Sequence, residues 1–456
     1  MACRIGNAAG FLGDNLDAPR LMAASGAVDY LTLEYLSELT LSILARVREK
    51  NPLAGYAGDF IDVLPGLCPS LVAQSGLRIV TNAGGMNPTS CAAAAGRVLL
   101  AAGLGDEVIG AVTGDDLVTE LPRLQSLGCK LENFETGEPL DLKKYPIVSA
   151  NAYLGARPIV EALAGRSRLV ITGRVADASL TVGPAVHEFG WAWGDWNRLA
   201  AASVAGHIIE CGAQSTGGLY RHWETLDLGH VGYPIAELDA TGAMTITKPA
   251  GTGGTVNRNT VIEQLLYEIG DPKHYLTPDV DVDFTTLGVE SLGPNRVGVT
   301  GSTGHAKPAS YKVSAAYRAG FTTSGQLLVC GRNAVAKAQA CGRMIFERLE
   351  TAGYKYDDSL VECLGAGQSA PGFAATGEVR EVLMRVSVRD RRREAVERFS
   401  KEFAPLITSG PPGLAGYASG RSAVRPVFAY WPTLVPQELV ASRVEVRTAR
   451  EWAEAK

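Results

Sequence analysis

The feature that most constrains the fold is a rhythm repeated through the first half of the chain: a short apolar run, a loop of Gly, Asn and Asp, then a segment with helical periodicity. The runs cover residues 4–9, 28–33, 77–81, 107–112, 146–150 and 169–172. A strand covered on both faces reads as a continuous apolar run, and a helix must carry the chain back to start the next one. The alternation therefore predicts α/β architecture, a mainly parallel sheet with helices on both faces.

The loops that follow these runs are chemically alike. They are Gly10-Phe11-Leu12-Gly13-Asp14-Asn15, Asn82-Ala83-Gly84-Gly85-Met86-Asn87-Pro88, Gly114-Asp115-Asp116 and Gly173-Arg174-Val175-Ala176-Asp177. In a parallel sheet such loops leave the carboxyl ends of the strands together, where open α/β proteins place ligands. Any one loop reads as ordinary turn and cap chemistry. Four at one sheet end point to a site, with Asn82, Gly84, Gly85, Asn87 and Asp115 as candidate substrate-binding residues.

The 456 residues exceed what one core usually holds, so more than one domain is expected. The texture changes near residue 220, which places an α/β domain over 1–220 and a smaller α+β domain with antiparallel strands over 221–456. Residues 235–249 read as a hairpin around Asp239-Ala240-Thr241-Gly242. Extended runs follow at 282–289, 296–300, 311–317 and 326–330, ahead of a helix over 334–349.

With 46% hydrophobic and 20% charged residues the chain can bury substantial cores. A net charge of -5 lacks the basic footprint of nucleic-acid binding, and Arg391, Arg392 and Arg393 are interleaved with Asp390 and Glu394. The apolar stretches are too short or too interrupted for a signal peptide or a membrane span, so a cytoplasmic location is expected. The eight cysteines are scattered with no Cys-x-x-Cys pair, which argues against a disulfide framework and a zinc site.

Among motifs that carry chemistry, His207 and Glu210 lie three apart, on one face of a short helix. They read as a general acid/base couple, two metal ligands or a plain hydrogen-bonded pair, with Gln214 and its neighbours supplying donors. Arg174 is a candidate clamp for a substrate carboxylate, and Asp177 a base or a helix cap. The loop from Gly251 through Gly253 and Gly254 to Asn257 enters a helix and is a candidate anion cradle, but it lacks the Gly-Lys-Ser/Thr ending of a P-loop. Gly6, Gly10 and Gly13 depart from the dinucleotide spacing. No Gly-x-Ser-x-Gly, His-Glu-x-x-His or Cys-x-x-Cys occurs, so no cofactor and no metal are assigned.

Longer stretches carry a family resemblance. Ile5-Gly6-Asn7-Ala8-Ala9-Gly10-Phe11, Asp29-Tyr30-Leu31, Glu34-Tyr35-Leu36, the loops at 82–88 and 172–177, residues 206–212, Gln214-Ser215-Thr216-Gly217-Gly218 and Tyr275-Leu276-Thr277-Pro278-Asp279-Val280 make the chain similar to AtuA-like proteins of the acyclic terpene utilisation family. The resemblance implies a part in bacterial breakdown of citronellol- and geraniol-type terpenes through CoA thioesters. It brings no established catalytic residue. Longer members continue into a ferredoxin-like domain, whereas this chain stops at Lys456. A small ferredoxin-like companion subunit is therefore expected, within a homo-oligomer; Phe428, Tyr430, Trp431 and Leu434 either form its docking surface or close the core of the chain's own final domain.

Together these readings give a catabolic enzyme acting on a branched carboxylic acid or acyl-CoA. The expected reaction is addition or removal of water, with His207, Glu210 and Asp177 as catalytic groups and Arg174, Gln214, Gly253 and Gly254 among the binding residues. The alternatives are a non-catalytic scaffold subunit that holds the same ligand, and a C–C lyase.

Overall fold

In a computed structural model of the protein, residues 2–368, 377–416 and 420–455 are described. They form two compact units, Met1–Ala316 with Trp431–Lys456, and Tyr317–Tyr430. The units therefore do not part near residue 220.

The strands are, in chain order, β1 (Cys3–Asn7), β2 (Tyr30–Leu33), β3 (Arg78–Thr81), β4 (Val108–Thr113), β5 (Ile147–Ala152), β6 (Leu169–Thr172), β7 (Ile235–Leu238) and β8 (Met244–Thr247). They continue with β9 (Tyr275–Leu276), β10 (Asp281–Asp283), β11 (Gly288–Gly293), β12 (Arg296–Thr300), β13 (Thr303–His305) and β14 (Ser310–Cys330). The last are β15 (Asp358–Leu364), β16 (Glu381–Asp390), β17 (Leu414–Ala415), β18 (Arg425–Pro436) and β19 (Arg443–Thr448).

The first unit is built on a sheet of order β11-β12-β8-β7-β1-β2-β3-β6-β4-β19. Its centre, β1-β2-β3-β6-β4, is parallel, as the apolar runs predict. Both flanks are antiparallel: the hairpin β7–β8 joins β1 and continues to β12 and β11, and β19 joins β4. This explains the misplaced boundary. The antiparallel strands after residue 220 look like a separate α+β layer in sequence, but they extend the first sheet.

Strand alternation distributes the core. Leu31, Leu33, Ile79, Ile109, Leu169 and Ile171 join one cluster with residues of helices Gly58–Ala73, Pro88–Ala101 and Ala449–Glu454. Helices Arg157–Ala164, Ser179–Phe189 and Trp196–Ile209 pack on β4, β1 and β7. The last of these is buried from Leu199 to Ile209 without a solvent face, which its alanine-rich sequence permits. Residues 146–150 do form a strand, but β5 lies outside this sheet and pairs with β14. Among the described residues no helix is long and apolar enough to cross a membrane.

The second unit runs β14, helix Ala334–Thr351, β15, β16, helices Arg393–Phe399 and Phe403–Ser409, then β17. Its sheet order is β15-β16-β14-β17 with antiparallel pairs throughout, the βαββαβ arrangement of ferredoxin-like folds. On β16, Val382, Met384, Val386 and Val388 point to a core completed by Ile345, Phe399 and Leu406. A ferredoxin-like order is thus present inside this chain. Trp431, one of the expected docking residues, is buried in the first unit: its Nε1 donates to the Leu131 carbonyl at 2.8 Å and its ring lies 4.8 Å from that of Tyr145. Tyr430 and Leu434 are exposed.

Candidate functional site

A cavity of about 600 Å³ opens at the carboxyl ends of β1, β2 and β6 in the first unit. It is bounded by the loop after β1 (Gly10, Phe11, Asp14), the segment after β2 (Glu34 to Glu38), Arg174 and Asp177 after β6, and residues 210–214 after helix Trp196–Ile209. Tyr153, Tyr233, Tyr267, Glu268 and Lys312 also line it. The second unit has a cavity of about 800 Å³ lined by Thr322 to Gln326, Arg421 and Arg425, and none of its described lining residues carries a carboxyl group for proton transfer.

Close packing brings the proton-transfer groups together. A side chain at Gly206 would collide with the Ala178 backbone, its Cβ lying 2.7 Å from Ala178 Cα, so only glycine lets the helix ending at Ile209 sit on the loop that carries Asp177. Gly10 approaches the Gly212 backbone in the same way, with a Cβ 2.6 Å from Gly212 N. Asn7 anchors that turn from β1, donating to the carbonyls of Ile209 and Glu210 at 2.7 and 2.8 Å.

His207 and Glu210 do form a pair, Nδ1 to Oε1 at 3.0 Å. His207 is buried beside Tyr275 and Phe284 and does not line the cavity; Glu210 does. His207 Nε2 faces the Gln264 carbonyl at 2.9 Å, and a carbonyl only accepts, so Nε2 carries hydrogen. The Nδ1–Oε1 contact must then contain a proton of its own. The pair holds one proton, as imidazolium with carboxylate or imidazole with carboxylic acid. Burial pushes the Glu210 carboxyl up to about 7, against the pull of His207. Burial is the largest influence on the His207 imidazole and lowers it, but the hydrogen bond and charge of Glu210, the Gln264 carbonyl and the charge of Glu268 together turn the net direction upward. The other oxygen of Glu210, Oε2, is buried with no hydrogen-bond partner among the described residues.

A second cluster surrounds Arg174. Its Nη1 donates to the Leu36 carbonyl and its Nη2 to Asp177, both at 2.6 Å, with Glu34 4.0 Å away and the Tyr153 ring centroid 4.0 Å from Cζ. Arg174 lines the cavity, yet its guanidinium is almost wholly buried and engaged by the protein itself. Burial raises the carboxyls of Glu34 and Asp177, and the Arg174 charge only partly offsets this. Glu34 accepts from Leu36 N at 2.8 Å and from the Asn82 amide, while its Oε2 has no partner among the described residues.

The remaining predicted residues separate into support and structure. Asn82 stands behind Glu34, also accepting from Tyr35 N at 2.8 Å, and Asp115 stands behind Arg174, accepting from its backbone N–H and from Asn151, both at 2.8 Å. Burial pushes the Asp115 carboxyl up to about 6. Gln214 lines the cavity. Gly84 and Gly85 lie in a turn closed by Gly85 N to Asn82 O at 3.1 Å and Asn87 N to Gly84 O at 2.8 Å, and Asn87 caps helix Pro88–Ala101. The loop of Gly253 and Gly254 is no open cradle, and neither glycine lines the cavity. Its N–H groups are spent inside the protein: Gly253 on His230 O at 2.7 Å, Gly254 on Asp227 O at 3.0 Å and Thr255 on Thr216 O at 2.7 Å.

Glu38, Tyr153 and Lys312 were not predicted. The Tyr153 hydroxyl donates to Glu38, and Lys312 Nζ lies 3.1 Å from the same carboxylate. Burial alone would raise Glu38, but these donors bring its carboxyl down to about 2. Among the described residues no three His, Cys, Asp or Glu side chains converge as a metal site would require.

The sequence profile of the acyclic terpene utilisation family protein AtuA matches residues 3–446, nearly the whole chain. The chain belongs to that family. Membership in the AtuA family implies a role in acyclic terpene utilisation. No curated protein and no solved structure matches the chain.

Proposed function

We propose that this AtuA-family chain is an enzyme that adds water to, or removes it from, a branched acyl compound by acid/base catalysis in the cavity beside Glu210. The observation that carries the reading is Glu210 itself: a carboxyl at the cavity wall, pushed up to about 7, with one oxygen on His207 and the other without a partner among the described residues. A group that titrates near neutrality suits proton transfer in either direction, which reversible hydration requires. In dehydration Glu210 gives its proton to the departing hydroxyl while Asp177 takes the proton from the adjacent carbon; in hydration Asp177 returns that proton to carbon and Glu210 takes one from the adding water. His207 acts behind it as a positioning residue, and Asp177 with Glu34 supplies a second carboxyl pair near the reacting carbons.

Arg174 contributes by keeping Asp177 in place. The test is turnover of unsaturated and hydroxy acyl thioesters by wild type and by Glu210→Gln. A scaffold subunit would bind them without conversion, and a C–C lyase would change the carbon skeleton. A small companion and a homo-oligomer belong to the same proposal, checked by sizing the chain after co-purification.

A further inference from the structure

The cavity has two cations in its wall, and they differ in what they have left to give. Arg174 gives one bond from each terminal nitrogen to Leu36 and Asp177, and the donors it keeps, including an Nε–H with no partner among the described residues, are buried with a side chain 3% exposed. Lys312 has its side chain 46% exposed, lines the cavity, and has its Nζ on one carboxylate, Glu38. An ammonium carries three N–H donors, so donors remain for a ligand. The group is also held in place. Tyr153 N donates to the Lys312 carbonyl at 2.9 Å, and the ammonium lies 4.6 Å from the Tyr153 ring centroid. Glu38 is itself fixed at the first turn of helix Glu38–Lys50 and by the Tyr153 hydroxyl. A donor held this way need not reorganise when an oxygen arrives.

We infer that Lys312 binds the carbonyl oxygen of an uncharged acyl group, a thioester, ester or amide, in this cavity. The inference rests on the reading of the cavity as the substrate site. The charge balance selects the ligand. Glu38 already faces Lys312, and Asp177 and Glu34 already face Arg174, while Asp14, Glu210 and Glu268 add further carboxyls to the wall. A free carboxylate would bring one more negative charge to this wall. A carbonyl oxygen asks only for an N–H, and it gains most from Lys312 if negative charge builds on it during proton transfer at the neighbouring carbon.

The experiment is binding, measured by calorimetry on the full chain with three probes: S-(3-methylbutanoyl)-N-acetylcysteamine, 3-methylbutanoate and 3-methylbutan-1-ol. Wild type should bind the thioester about tenfold or more tightly than the alcohol or the free acid. Lys312→Met should bring the thioester to within about threefold of the alcohol and leave the alcohol unchanged, and Lys312→Arg should keep most of the advantage. The half-exposed side chain makes the Met variant tolerable to the fold, and Lys312→Ala gives a second neutral replacement. Equal thioester affinity in wild type and the neutral variants overturns the inference. So does a wild type that prefers the free acid or shows no preference for the carbonyl. No turnover is read, so a chain that never converts a substrate still answers, and a failed Glu210 variant leaves this result standing.

Discussion

Replacing Glu210 with Gln should separate proton transfer from everything else the residue does. The amide is nearly isosteric and can donate to His207 Nδ1, so the 3.0 Å contact is retained while His207 stays neutral and keeps its bond to Gln264 O. The carboxyl's folded pKa of about 7 lies above its ordinary value of 4.5. Below about 7 the pair keeps its one shared proton, which in the unfolded chain sits on His207 and leaves near the ordinary imidazole value of 6.5. Wild-type stability therefore falls as pH rises from there through the folded titration, at about 1.4 kcal/mol per pH unit. In the variant His207 is neutral when folded and takes a proton when unfolded below 6.5, so its stability rises with pH over that range. The two stabilities shift against each other by ~1–3 kcal/mol. Urea unfolding at pH 5 and pH 8 should show the variant gaining that amount on wild type between the lower pH and the higher. Turnover should drop by about 10²–10⁴, and dehydration by wild type should decline above pH 7 as Glu210 loses its proton. A variant that keeps the wild-type slope of stability against pH refutes the assignment of the buried proton. Full turnover refutes the catalytic role.

Arg174→Met should destabilise the chain by roughly 3–5 kcal/mol at pH 8, because it leaves Asp177 and Glu34 without their cation. The loss should shrink at pH 5, where the raised carboxyls take up protons, and denaturant midpoints at the two values check this. Gly254→Val should cost stability, by about 2–4 kcal/mol, and leave ligand affinity in the remaining folded protein unchanged. The position has φ +74° and a Cβ would strike the Thr216 carbonyl, while the loop offers its N–H groups to the protein. Weakened thioester binding at full stability would restore the anion cradle.

The parallel centre of the sheet was legible because buried parallel strands write themselves as apolar runs: β2 and β6 are buried at every position. The hairpin at Asp239 was legible from its turn, and it lies where expected as β7–β8. What the sequence hid was which sheet the later strands join. Alternation in residues 296–300 identifies a strand, but its partner β8 is chosen by the long-range register Val297 to Ile246. For the same reason Arg174, Asp177 and Gln214 could be named from loops of telling composition and Glu210 from its helical spacing to His207, while Lys312 could not. It sits within an ordinary extended run and reaches the cavity only because β14 pairs with β5. Glu38 reads as a first-turn helix residue, and only the Tyr153 and Lys312 contacts reveal more. The glycine loop at 251–255 misled in the opposite sense, since composition shows that N–H groups are present but not that the protein has already used them.

The most direct test of the central claim is mass spectrometry of hydroxy and unsaturated branched acyl thioesters after incubation with the chain in H2(18)O. Wild type should exchange or transfer one oxygen with the carbon skeleton intact, and Glu210→Gln, folded and still binding the thioester, should do so at least about a hundredfold more slowly. Saturable binding with no label in any product, or products of altered carbon count, would contradict the claim.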